Sequence, residues 1–148
     1  MVGFRRWALC VGAGFLWLTL GANASAQEKQ PQPQRVELPP GVATLEGVPT
    51  VRIDSSEQGT TRRVLGTQEG KRAKLTIQEV GGQYFWASRE NKLLTLYSDG
   101  PFTYLSAAPG QYVRFTRLND RITYVEHVDS PIGSVTWLGE MRVVVGKR

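Results

Sequence analysis

The segment "SVTWLGEMRVVV", residues 134–145, decides the fold class. Val135, Trp137, Gly139, Met141, Val143 and Val145 alternate with Thr136, Leu138, Glu140, Arg142 and Val144, a period of two held to its end. On a strand successive side chains point to opposite faces, whereas an amphipathic helix repeats its apolar positions every three or four residues. The segment is therefore a strand with one buried face, and that face places Trp137 in the core.

Immediately upstream, "RITYVEHVDS" (121–130) follows the same rule. Ile122, Tyr124, Glu126 and Val128 share the more apolar face, while Thr123, Val125, His127 and Asp129 share the other. His127, the one histidine of the chain, is thus expected outside beside Asp129, and Glu126 inside near the strand's end, at the mouth or in an ion pair. "SPIG" (130–133) supplies the turn between the two strands.

Further segments of this kind run over Thr50 to Asp54, Thr61 to Gly66, Ala73 to Val80, Gln83 to Ala87, Lys92 to Ser98, Phe102 to Ala107 and Tyr112 to Leu118. Between them lie "EGK" (69–71), Gly81-Gly82, "SDGP" (98–101), "APG" (108–110) and Asn119-Asp120, whose residues tolerate or impose turn conformations. No stretch sustains a helical period. Strands joined by such short loops pair antiparallel with their neighbours, so the chain reads as an all-β meander of about eight strands. Closure removes unpaired edges, which favours a small up-and-down barrel, with a β-sandwich as second choice. The short, interrupted strands argue against a barrel spanning an outer membrane.

Ahead of this domain, 50–148, residues 27–49 are rich in proline and glutamine and read as a flexible linker. Residues 1–26 have the order of a secretory signal: Arg5 and Arg6, an apolar run from Trp7 to Leu20, and the small residues Ala24, Ser25 and Ala26. Cleavage there predicts a periplasmic or extracellular chain without cysteine, because Cys10 leaves with the signal, and without a transmembrane segment. The charge of +5 falls to +3 once Arg5 and Arg6 are gone, with 16 basic residues against 13 acidic ones. So mild an excess, in an exported chain, implies no nucleic-acid partner.

Catalytic zinc sites draw on several His or Cys ligands, and one histidine with no cysteine does not supply them. Ser134 lacks the G-x-S-x-G elbow of a nucleophilic serine. No cofactor, metal site or catalytic residue is therefore assigned. For binding, the candidates are Tyr84, Trp86, Tyr97, Tyr104 and Glu126, expected as an aromatic surface with a polar rim. Arg62, Arg63, Lys71, Arg72 and Lys74 form the densest basic cluster, read as one surface of a hairpin. In plan the eight-strand barrel resembles lipocalin and avidin-like barrels, and in composition periplasmic lysozyme inhibitors. The expectation is an exported, non-catalytic binding module for a small ligand, glycan or envelope component. The alternatives are a protein-interaction or inhibitor domain and, third, a small hydrolase using carboxylates.

Overall fold

Nine strands and one short helix follow one another in the computed structural model, which describes residues 31–39 and 42–146. Residues 1–30, which hold the expected signal segment with Cys10 and the first part of the expected linker, lie outside the described residues. The elements are β1 (Val42–Ser56), β2 (Gly59–Val64), α1 (Thr67–Arg72), β3 (Leu75–Val80), β4 (Gln83–Trp86), β5 (Lys92–Asp99), β6 (Phe102–Ala108), β7 (Gln111–Leu118), β8 (Arg121–Ser130) and β9 (Gly133–Val145). Every pairing is antiparallel, and β1 with β3 through β9 forms a closed eight-stranded barrel. The seam is the pairing of β1 with β9, which runs from Val42 opposite Val145 to Ser55 opposite Ser134.

On its other edge β1 changes partner. Thr44 to Gly47 pair with β3, whereas Val51 to Ser56 pair with β2, which stands outside the barrel as the arm of a hairpin. The change falls at Pro49, where the β1–β9 register also shifts. Proline has no N–H for a ladder, so an irregularity of this kind is where a strand accepts it. Helix α1 packs on this point: a Cβ added at Gly70 would stand 2.6 Å from the Pro49 carbonyl oxygen. The sequence reading expected only a turn at 69–71. One and a half turns are too short for a helical period to register, but Glu69 accepts a 3.2 Å hydrogen bond from the Gly66 N–H, and Lys71 and Arg72 occupy the last turn, where cations suit the helix dipole.

Two parts of the expected linker belong to the barrel. Residues 42–49 are the first half of β1. Residues 31–39 form a strap across one end: Gln34 and Arg117 exchange backbone hydrogen bonds of 2.8 Å, Thr103 Oγ1 donates to the Val36 carbonyl at 2.8 Å, and Val36 is buried in the core. Val36, Leu38 packed beside it against the core, and hydrogen bonds from backbone and side chains suffice to hold a polar segment whose composition reads as a tether.

Each barrel strand sends side chains inward: Leu45, Leu75 and Ile77, Trp86, Leu94, Leu105, Val113 and Phe115, Tyr124, and Met141. Side chains fill a barrel of eight strands, as its diameter allows. Gly47 lies under the Tyr124 ring, where an added Cβ would come within 2.6 Å of Cε1. Trp137, expected in the core, stands on the inward face but at the mouth, only partly buried, with the guanidinium of Arg89 at 4.6 Å and that of Arg52 at 5.6 Å from its ring. Strand parity places it correctly; its height along the barrel axis is not a matter of parity.

The packing yields a stability order. Trp86, 1% exposed, loses about 3–5 kcal/mol on truncation to alanine, and Trp137→Ala loses clearly less. Urea unfolding followed by far-ultraviolet circular dichroism checks the order, and the reverse result would move the core toward the mouth.

Candidate functional site

The candidate residues divide between the two sides of the barrel wall, because the alternation that builds the barrel sends neighbours in sequence to opposite faces. Tyr84, Trp86 and Glu126 face inward; Tyr97 and Tyr104 face outward. The five do not form one surface.

Inside, Glu126 is 0% exposed. Arg89, from the β4–β5 turn, brings Nη2 to 3.0 Å from its Oε1, an ion-pair distance without the alignment of a hydrogen bond. Trp86 Nε1, Tyr124 OH and both carboxyl oxygens are buried without a hydrogen-bond partner among the described residues. Burial pushes the Glu126 carboxyl up to about 7, against the charge of Arg89 and then the nearby Trp86 indole, which pull it down. Burial also raises the Tyr124 phenol, with the Glu126 charge adding to it and Arg89 opposing. This polar cluster is a cost of the interior, partly offset by a guanidinium that reaches down from the mouth.

Outside, four rings form a row across four strands. Tyr97 on β5 stacks on Tyr104 on β6, with centroids 4.9 Å apart and planes within 4°. Tyr104 meets Tyr112 on β7 at 5.9 Å with planes tilted by 56°, and Tyr112 stacks on His127 of β8 at 5.2 Å. The row is pinned at its far end, where His127 Nε2 lies 2.9 Å from Asp129 Oδ1 and Nδ1 lies 2.8 Å from Thr136 Oγ1. In the neutral tautomer that satisfies both, Nε2–H donates to the carboxylate and Nδ1 accepts from the hydroxyl. Glu126 and His127 point to opposite faces, so they share no site. Sequence reasoning missed Tyr112 and His127 as members of this row. Their outward parity was readable, but the register that sets Tyr97 opposite Tyr104 and Tyr112 opposite His127 was not.

The basic residues also separate. Arg63 and Arg72 line a cleft of about 300 Å³ at the mouth with Arg52, Glu69 and Trp137. Arg63 pairs with Glu69 at 2.8 Å, and Arg52 with Asp54 at 2.6 Å. Lys71 and Lys74 line a second cleft, where Lys74 and Arg142 hold Glu46 and keep its carboxyl below the usual carboxylate range. Arg62 stands apart on β2. The helix carries Lys71 and Arg72 into different clefts, so what the sequence presents as one cluster is three.

The chain matches no protein-family model, no curated protein and no solved structure. No helix among the described residues is long and apolar enough to cross a membrane. The fold and this site define a closed, filled β-barrel whose assembled side-chain features lie on its outer wall and at one mouth.

Glu126 gives the barrel a pH dependence of definite sign. Its folded pKa lies above the ordinary 4.5, so the native state binds the proton more tightly. This contribution to stability is full below pH 4.5, falls as pH rises to about 7 and is flat above. Glu126→Gln removes the decline and stabilises the protein at pH 8 by up to about 3 kcal/mol. Urea midpoints of the wild type and variant from pH 5 to pH 8 provide the test; parallel profiles would show that the carboxyl is not held at a raised pKa.

Proposed function

We propose that this protein is an exported, non-catalytic interaction domain that recognises another protein through the outward row Tyr97, Tyr104, Tyr112 and His127. The observation that carries this reading is the stacking of Tyr97 on Tyr104. Rings stacked face to face across strands turn their edges and hydroxyls to solvent, while a sugar would need an open ring face. Tyrosines held in this way combine apolar area with a polar tip and little side-chain entropy to lose, the combination that enriches them in protein-binding surfaces. Tyr97 is 47% exposed, so the row has a free end. The buried core, with Trp86 inside and Tyr104 outside, speaks against the first expectation of a small-ligand module using both rings and favours the protein-interaction alternative. The apparent order of a secretory signal at residues 1–26 supports export.

Substituting the row tests this reading. Tyr97→Ser combined with Tyr104→Ser is expected to leave the circular dichroism spectrum unchanged. It should weaken the partner, captured by photocrosslinking from position 97, at least tenfold in binding measured with the purified partner, since central tyrosines at interfaces contribute about 2 kcal/mol or more. A crosslinked glycan, or a partner bound equally by the double variant, would defeat the proposal.

A further inference from the structure

Strand β2 has one partner. Its residues Gly59 to Val64 pair with β1, every one of them is exposed, and its other edge meets no strand among the described residues. The direction of its backbone groups follows from the register. Leu65 N–H donates to the Thr50 carbonyl at 2.8 Å, which makes that pair a hydrogen-bonded one. Because bonded and unbonded pairs alternate in an antiparallel ladder, Arg63, Thr61 and Gly59 also turn toward β1. Thr60, Arg62 and Val64 then direct their N–H and C=O groups to the open edge. Val64 is 69% exposed beside them.

We propose that this edge accepts an extended segment of another protein as an added antiparallel strand, with an acidic residue of that segment opposite Arg62. Strand addition draws its affinity from main-chain hydrogen bonds and its selectivity from the alternating side chains, and here the free groups recur on alternate residues as it requires. The charge specifies the occupant. Arg63 is occupied by Glu69, whereas Arg62 has no ion-pair partner among the described residues. A second copy paired symmetrically about Arg62 would set Arg62 against Arg62, and like charges directly opposite oppose pairing. A carboxylate in that place is complementary. The surface is separate from the tyrosine row, with β1 and β9 between them in the sheet.

The test uses the blocked heptapeptide acetyl-TVTETTT-amide, followed by amide NMR titration of the whole protein. Shifts are expected at Thr60, Arg62 and Val64, with slowed exchange of their amide protons. Replacing the central glutamate of the peptide by lysine weakens binding about fivefold. Arg62→Gln removes that preference but keeps the binding, because its N–H remains. Arg62→Pro deletes an N–H that β1 does not use and abolishes binding of both peptides. Should Arg62→Pro disturb the amide spectrum of the barrel, the peptide N-methylated at the glutamate nitrogen, the donor that faces Arg62, takes its place and is expected not to bind the wild type. Binding that survives the loss of either donor, shifts confined to other strands, or a dimer of the chain that dissolves in Arg62→Pro would each overturn the proposal.

Discussion

Closure of the first strand on the last is the constraint from which the rest of this structure follows. A meander of hairpins leaves its two outermost strands unpaired, and β1 meets β9 over almost the whole length of both. Once the ring is closed with eight members its interior is narrow enough for side chains to fill, and Trp86, Phe115 and Tyr124 occupy it. The same closure divides the chain into inward and outward residues, which is why the aromatic residues cannot act as one set. Pro49 gives β1 its second task. By interrupting the ladder there it frees the later half of the strand to leave β3 and carry β2, so the one arm that escapes the ring originates at a single residue without an N–H.

The mouth carries the electrostatic consequence. Glu126 enters the wall at a level where water no longer reaches it, and the nearest cation comes from a turn and not from a strand. Arg89 is held there by the carboxylate below it, the Trp137 ring beside it and the Ser88 carbonyl, which accepts from Nη1. The indole is thereby shielded on one side while Arg52 approaches as well, which explains why a residue on the core face remains partly solvated. A buried carboxyl with one imperfect partner is weak support for stability. Its more direct effect is to tie the β4–β5 turn to the mouth.

Much of the wall was legible in the sequence because a period of two is a local property. The parity of β8 and β9 separated Glu126 from His127 before any coordinates, and Tyr97 and Tyr104 were recognised as candidates. Register is not local. Nothing within residues 111–118 says that Tyr112 faces His127, since that depends on how β7 slides against β8. Height along the barrel is equally hidden, and Trp137 was assigned to the core for that reason. Two further features escaped for want of length: α1 is shorter than a recognisable period, and the strap is anchored by only two apolar side chains, Val36 and Leu38. The basic cluster dispersed because that unseen helix carries Lys71 and Arg72 itself and turns them into two different clefts, leaving Arg62 alone on β2.

The two outer surfaces differ in what they can specify. Stacked tyrosines on a closed barrel are rigid, because each ring is braced by its neighbour and each strand is paired on both edges. Their hydroxyls and edges therefore stand in a fixed order that a partner must match, and little side-chain entropy is lost in the match. The β2 edge offers backbone groups that any extended chain can satisfy, so by itself it discriminates poorly. Arg62, without an ion-pair partner among the described residues, changes this by opposing a second copy centred on it and favouring a carboxylate. On the strand-addition proposal, one residue thus opposes self-pairing at the open edge and selects its complement.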